Sequence, residues 1–207
     1  MMLSKELQER WEGMLSVRDE EKQLRALTEI GRAYDLVRNR TSPLKHVWLG
    51  AEKTAGRPEA VGLPETLRNL VLEKLRSKDP HIRAEAVLAL IHWRDETTLT
   101  ALKQALDDPD VGVRLAAIQA AVETAPEELM DELVRAAKQD ESEIVRAKAV
   151  DAIKWFVQKQ EPPKTGAVST GGGPVRVRGY PVRNLAKVLE EIQREDESSY
   201  VRFVAGA

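Results

Sequence analysis

Five arginines recur along the chain at positions from which their guanidinium groups could bind anions. Arg83, Arg114 and Arg146 are 31 and 32 residues apart. A guanidinium presents a planar fork of N–H donors that fits carboxylates and phosphates. The arginines could form a row of anion sites, or each could bond an acid or a carbonyl group of an adjacent repeat. The second interpretation is favoured, because a position kept constant by stacking is usually paired. The five residues are Arg25, Arg83, Arg114, Arg146 and Arg202.

Other residues that could do chemistry are scattered along the sequence. Its three histidines are far apart, and the absence of cysteine excludes disulfides and thiolate metal sites. Acid pairs such as Asp107–Asp108 fall at turns, where helix capping explains them. The glycine run 171–173 lacks the following Gly-Lys-Ser/Thr of a phosphate-binding loop. We therefore expect no catalytic residues, no metal site and no cofactor.

The elements that position the arginines are copies of one short pattern. Each copy combines an arginine with small and apolar residues at helical spacing, and self-similarity at this period is typical of stacked helical hairpins. The pattern predicts an all-α, right-handed α-solenoid (superhelix) of about five hairpins. We expect helices near 64–77, 81–93, 96–106, 111–124, 126–139, 142–158 and 182–194. The copies are Asp-Pro-His-Ile-Arg-Ala-Glu-Ala (79–86), Asp-Val-Gly-Val-Arg-Leu-Ala-Ala (110–117), Ser-Glu-Ile-Val-Arg-Ala-Lys-Ala (142–149) and Ser-Ser-Tyr-Val-Arg-Phe-Val-Ala (198–205).

Two segments interrupt this period. We expect one repeat domain over 1–207, with its best-defined repeats at 64–158 and insertions at 39–63 and 159–181 that are rich in glycine and proline. Long insertions in a tight array are often the loops that bind partners. Residues 159–189 carry six basic side chains and one acidic side chain. This excess of positive charge suits an acidic protein surface or a nucleic-acid backbone, although a solvated linker would have the same composition.

Composition limits the compartment and the kind of partner. Acidic and basic residues number 34 and 32, so the chain as a whole is not a polyanion binder. No stretch approaches the roughly 20 apolar residues of a membrane span, and the start of the sequence lacks the apolar run of a secretory signal. We expect a cytoplasmic protein with no membrane association.

These repeats resemble HEAT repeats, in particular the short-period HEAT-like class found in phycobilisome lyases and in bacterial and archaeal scaffold proteins. The resemblance is carried by Ala86 to Leu90, Leu102 to Leu106, and Asp108-Pro109 followed by Val113-Arg114. It implies a solenoid of HEAT-like hairpins. It does not select one function, because this fold hosts binding scaffolds, lyase subunits, hydroxylases and DNA glycosylases. HEAT-type hydroxylases use repeated His-Glu dipeptides to bind iron, and this sequence has none.

Positions that vary between copies are the best candidates for a binding surface. Counted from each arginine, positions +2, +5 and +9 share one stripe of the second helix, which commonly lines the concave face of such solenoids. An ordinary solvated surface is the alternative interpretation. From Arg25, the first copy gives Leu27, Ile30 and Tyr34. The expected binding residues are Tyr34, Glu85, Leu88, His92, Gln119, Glu123, Lys148, Asp151 and Trp155, together with Arg176, Arg178 and Arg183 of the basic region.

The sequence thus predicts a non-catalytic scaffold that binds a protein partner with an acidic surface. One alternative is a nucleic-acid binder or a HEAT-type DNA glycosylase, which would need a basic groove with aromatic side chains for base stacking. The predicted stripe is mixed in charge, so this alternative is the weaker one. Another alternative is a subunit of a lyase or other modification enzyme, which the repeat type resembles.

Overall fold

The structure, a computed structural model, describes residues 5–38, 63–124, 127–160 and 182–207. Every regular element in these ranges is helical, as the periodicity predicted. A turn of 3-10 helix, Leu90–His92, directly follows the fourth α-helix below. The α-helices are α1 (Lys5–Ser16), α2 (Glu20–Arg38), α3 (Glu65–Lys74), α4 (Pro80–Ala89), α5 (Glu96–Ala105), α6 (Val111–Thr124), α7 (Met130–Gln139), α8 (Glu143–Gln160), α9 (Val182–Glu195) and α10 (Ser199–Gly206).

The chain divides into two compact units, 1–120 and 121–207, and the boundary falls within α6. We refer to them as unit 1 and unit 2. The expectation of a single repeat domain over 1–207 stays a prediction. The predicted insertion at 39–63 lies outside the described residues except for Leu63, and residues 161–181 of the second insertion also lie outside them.

In unit 1, the first four helices pack around one apolar core. Helix α1 contacts α2 and α3, and α2 contacts α4. Each helix turns a stripe of apolar residues inward, and burial of a leucine or isoleucine side chain contributes about 1.5–3 kcal/mol. This cluster therefore holds the hairpins together. Its fully buried side chains include Trp11, Leu15, Leu27, Ile30, Leu67, Val71 and Leu90.

Helix α4 ends earlier than the sequence predicted. Asp79 caps its start by accepting a hydrogen bond from the His81 amide at 2.8 Å, and Pro80 occupies the first helical position. After Ala89 the backbone tightens into the 3-10 turn, and Trp93 is already extended. The Trp93 indole Nε1 donates to the Leu63 carbonyl at 3.2 Å, which ties this turn to the start of α3.

In unit 2, α7 packs on α8, and α9 packs on α10. Helix α8 also contacts α9 and α10. Leu133, Val150, Ile153 and Leu185 are among the buried core residues. Helix α7 begins at Met130 instead of 126, after a turn at 127–129. Helix α8 continues to Gln160, so the first two residues of the predicted 159–181 insertion are helical.

Candidate partner-binding surface

The arginine of one repeat copy bonds the aspartate in the turn of the next hairpin, an arrangement we call the turn pair. Arg83 donates from Nε to Asp108 Oδ2 at 2.9 Å and from Nη2 to Asp108 Oδ1 at 2.8 Å. Its Nη1 donates to the Ser77 carbonyl, six residues earlier in its own turn, at 2.9 Å. One guanidinium therefore joins two successive turns.

The same geometry recurs in unit 2. Arg146 bonds both carboxylate oxygens of Asp196 at 2.9 and 3.2 Å and donates from Nη1 to the Asp140 carbonyl at 2.8 Å. The side chains of Arg146 and Asp196 are only 5% and 6% exposed. Arg114 and Arg202 also donate from Nη1 to the carbonyl six residues earlier. The prediction that a column arginine bonds an acid of the adjacent repeat is confirmed for Arg83 and Arg146.

Asp108 has a different role from the helix capping predicted for the acid pair Asp107–Asp108. It was expected to cap the following helix, as Asp79 does. Instead Asp110 caps α6, accepting from the Gly112 amide at 2.8 Å, while Asp108 receives Arg83. Burial alone would raise the pKa of Asp108, but hydrogen bonds from Arg83 and from the Asp110 amide outweigh it and lower the pKa. The hydrogen bonds with Asp196 likewise raise the pKa of Arg146, although burial acts in the opposite direction.

The assignment of Arg25 to the arginine column is wrong. Arg25 is exposed, and its Nε bonds Glu29 one turn later at 3.0 Å. Gln23 occupies the equivalent position, because its Nε2 donates to the Val17 carbonyl six residues earlier, as each column arginine does. The burial pattern agrees with this register. The residues three, four and seven positions after Arg83 are buried, namely Ala86, Val87 and Leu90. The residues at the same three positions after Gln23 are also buried, namely Ala26, Leu27 and Ile30.

The corrected register changes the stripe in the first copy. Positions +2, +5 and +9 are now Arg25, Thr28 and Arg32, whereas Leu27 and Ile30 are fully buried core residues. The side chain of the predicted Tyr34 lies outside the described residues. A sequence signal for the correct register existed: Asp19 precedes Gln23 by four residues, as Asp79 precedes Arg83.

In unit 1 the structure brings part of the stripe together. Thr28 Oγ1 donates to Glu85 Oε2 at 3.0 Å, so stripe positions of adjacent copies touch. Leu88 is half-buried and Gln119 is exposed. His92 is 9% exposed, and its Nε2 lies 2.6 Å from the Ile30 carbonyl. The structure therefore places His92 in the interior of unit 1.

In unit 2 the stripe runs along α8. Lys148 and Asp151 are exposed and Trp155 is half-buried, and their spacing of three and four residues puts them on one helix face. Glu123, at the end of α6, is also half-buried. Arg183 lies in the first turn of α9, and its side chain, like Arg176 and Arg178, lies outside the described residues.

A shallow cavity of about 560 Å³ opens beside the turn pair of unit 1. Its lining includes Leu72 of α3, Val87 of α4 and Thr100 of α5, a mixture of apolar and polar side chains. The Arg83 and Asp108 side chains that face it already bond each other. Arg83 is therefore not an open anion site.

In the four described ranges, no group of three or more His, Cys, Asp or Glu side chains is arranged to hold a metal ion. Within that same part of the chain, no helix is both long enough and apolar enough to cross a membrane.

Helical hairpins that repeat along the chain and stack on their neighbours define the class of α-solenoid repeat proteins. More specifically, residues 65–156 match the family model of HEAT repeats, so this part of the chain is an array of HEAT-like repeats, as its motifs predicted. The chain is similar in structure to an engineered protein whose crystal structure was a target of the Northeast Structural Genomics Consortium. The similarity covers 98% of this chain and 77% of the engineered chain, at 15% sequence identity and a TM-score of 0.51. That similarity concerns the fold alone. No curated protein matches the chain.

Proposed function

We propose that the protein is a non-catalytic scaffold that binds a partner protein through its variable stripe and its basic region. HEAT repeats commonly mediate protein interactions, and solenoids of this kind present extended surfaces to their partners. The stripe residues of α8, namely Lys148, Asp151 and Trp155, form the best-defined part of this surface.

The observation that carries the proposal is the contrast between constant and variable positions. Constant positions are buried: Arg114 and Arg146, which are hydrogen-bonded, are 5% and 4% exposed as whole residues, and Ala117 is fully buried. Variable positions such as Gln119 and Lys148 are exposed to solvent. Packing explains why the first set is constant. Packing places no such demand on the exposed members of the second set, unlike the buried His92 and Ala116, so the exposed members are free to be selected for a partner.

The charge of the basic region indicates the chemistry of that partner. Helix α8 runs directly into residues 161–181, and the sequence from 159 to 189 has a net charge of +5. Such an excess attracts an acidic surface over distances of about 8 Å at physiological salt. We therefore propose an acidic protein partner that contacts α8 together with Arg176, Arg178 and Arg183.

A charge swap on α8 tests the stripe without changing net charge. Lys148→Glu combined with Asp151→Lys should weaken binding to a partner captured from the source organism about tenfold, or roughly 1.4 kcal/mol. A matched swap outside the stripe, Glu73→Lys with Lys78→Glu, should leave the affinity unchanged. Calorimetric titration gives both affinities. Equal affinities for the two swaps would exclude the stripe from the binding surface.

A second set of variants tests the basic region. Replacing Arg176, Arg178 and Arg183 by glutamine should slow association and reduce its salt dependence, because steering by charge weakens as salt rises. The control replaces Arg18, Lys74 and Lys78 by glutamine, which removes the same charge elsewhere. Identical salt slopes for the two triple variants would exclude the basic region. Competition by duplex DNA would instead support the nucleic-acid alternative.

A further inference from the structure

Two exposed apolar side chains lie at equivalent positions of adjacent helices in unit 2. Ile144 of α8 is 57% exposed and Tyr200 of α10 is 54% exposed, and each precedes its column arginine by two residues. The Ser198 Oγ donates to Glu143 Oε2 at 2.6 Å, which holds the starts of the two helices together. Ile144 and Tyr200 therefore belong to one surface, at the edge where α8 and α10 begin.

Packing does not account for apolar residues at this position. The position is exposed in every copy, including those that a further hairpin follows, and in unit 1 it is occupied by Glu21, His81 and Gly112. A polar residue or a glycine therefore satisfies the fold there. Among the described residues, four large apolar side chains are exposed, and Ile144 and Tyr200 are two of them. Exposed apolar side chains grouped in this way are typical of interaction sites.

The turns that frame this apolar pair are acidic. Segments 139–144 and 195–200 together contain six acidic residues and no basic residue. The buried Arg146 is paired with Asp196, but Glu141 is exposed, and the Glu197 side chain is 84% exposed although it also bonds Arg146. The corresponding segment 76–81 of unit 1 instead carries two basic residues and one aspartate. We call Glu141, Ile144, Glu197 and Tyr200 the acidic turn surface.

We propose that the acidic turn surface docks a basic segment of a partner protein in which an apolar residue is flanked by lysine or arginine. The apolar side chain packs between Ile144 and Tyr200, and the flanking cations bond the carboxylates of Glu141 and Glu197. A cation over the Tyr200 ring gains a further cation–π contact. An acidic segment is disfavoured, because its carboxylates would meet like charge on this surface.

This surface differs from the stripe both in its residues and in the charge of its partner. Ile144 lies one turn before Lys148 on α8, so the two surfaces are neighbours. The partner proposed for the stripe is acidic, whereas the acidic turn surface binds basic residues. The inference therefore does not depend on the function proposed above, and its test does not require the partner of the stripe.

The chain's own sequence supplies a probe of the required chemistry. Residues 174–183, Pro-Val-Arg-Val-Arg-Gly-Tyr-Pro-Val-Arg, combine three arginines with apolar residues and contain no acid. A fluorescently labelled peptide of this sequence should bind the full-length chain, as measured by fluorescence anisotropy. A peptide with serine in place of its three valines and its tyrosine keeps the charge and should bind about fivefold more weakly, because it buries less apolar surface.

Substitutions of the apolar pair test its part in binding. Ile144→Ser and Tyr200→Ser should each weaken binding of the unsubstituted peptide about fivefold. Tyr200→Leu keeps an apolar side chain and should retain most of the affinity. Both side chains are exposed, so the melting temperatures should stay close to that of the native chain.

A second pair of variants tests the charge. Glu141→Gln combined with Glu197→Gln should weaken binding about fivefold at low salt and flatten its salt dependence, because attraction between exposed charges is screened by salt. The matched control is Glu20→Gln with Glu21→Gln, which removes the same charge from exposed positions at the start of α2. The control should leave the affinity and the salt dependence unchanged.

Several results would overturn the proposal. They are the absence of peptide binding, equal losses in the two double variants, and an affinity unchanged by Ile144→Ser and Tyr200→Ser. Tighter binding after Arg176, Arg178 and Arg183 are replaced by glutamine would overturn it by assigning the surface to the chain's own basic region. Sedimentation should show a monomer, and a dimer that Tyr200→Ser dissociates would overturn it by assigning the surface to a second copy.

Discussion

Two successive interfaces of unit 1 are built on the same plan but differ in their polar contacts. Where α1–α2 meets α3–α4, the turn pair is missing, and the polar contacts across the helices include the Thr28–Glu85 and Thr66–Glu12 hydrogen bonds. Where α3–α4 meets the next hairpin, Arg83 bonds Asp108 through both carboxylate oxygens. Both interfaces bury apolar side chains. Stacking therefore does not require the turn pair, which is an additional constraint on how the turns align.

The largest expected effect comes from breaking a buried turn pair. Arg146→Gln leaves Asp196, 6% exposed, without its cation, which should destabilise unit 2 by about 3–5 kcal/mol. Urea unfolding combined with hydrogen exchange of α8 measures this loss. Gln23→Ala, at the equivalent position of an interface without a turn pair, should cost about 1 kcal/mol because it removes one hydrogen bond. Equal losses would show that the turn pair adds nothing to the interface.

Overpacking should affect both kinds of interface alike. Ala117 and Ala26 are fully buried at corresponding positions of their copies. Ala117→Leu and Ala26→Leu each force three extra carbon atoms into a filled space, which typically costs about 1–3 kcal/mol. Denaturant melts of the two variants test this expectation. A melt unchanged by Ala117→Leu would mean that the register assigned to α6 is incorrect.

Acid should weaken the interface that has a turn pair more than the one without. The folded-state pKa of Asp108 lies below its ordinary value of 3.8, so the pair stabilises the folded state fully above that value. This contribution is lost as the pH falls below 3.8 and Asp108 takes up a proton. Protection factors of the α4 amides, which are exchange rates corrected for the intrinsic pH dependence of amide exchange, should fall between pH 5 and pH 3 in the native chain. Asp108→Asn should flatten that fall, and a profile identical to the native one would contradict the assignment.

The smallest expected effect is the introduction of a turn pair where none exists. Gln23→Arg together with Ser77→Asp should stabilise unit 1 by up to about 1 kcal/mol, since both side chains are partly exposed. Each single substitution should give little or no gain. A double-mutant cycle in urea isolates the coupling between the two new side chains. A coupling of zero would show that the two turns are not aligned as they are at Arg83.

The sequence predicted the helices and the paired arginines wherever the repeat pattern is intact, as at Arg83, Arg114 and Arg146. The sequence prediction was wrong where a single residue type or a helix end departed from the repeat pattern. Arg25 lies two residues after the true position, Gln23, and its residue type favoured the wrong register. Helical counting placed His92 on the stripe, but the 3-10 turn after Ala89 breaks the helical period and turns that side chain inward.

In α6 and α8, the residue nine positions after the column arginine is not in the interior, in contrast to His92. Glu123 and Trp155 lie in helices that continue without a break from their column arginines, and both are half-buried instead of interior. Whether a residue nine positions after the arginine reaches the surface therefore depends on where each helix ends. Side-chain periodicity alone does not contain that information.

The turn aspartates also have a consequence for folding. Asp108 bonds Arg83 through its carboxylate and Arg114 through its backbone carbonyl, and Asp196 does the same for Arg146 and Arg202. One residue thus holds the arginines of two successive copies, so loss of structure in one hairpin releases a bond in its neighbour. In a linear repeat array, the free energy of unfolding is approximately the sum of the intrinsic stability of each repeat and the interaction energy between neighbouring repeats. A shared aspartate increases the interaction energy between neighbours. Adjacent repeats linked in this way should unfold together, so the cooperative unit of unfolding should be longer than one hairpin.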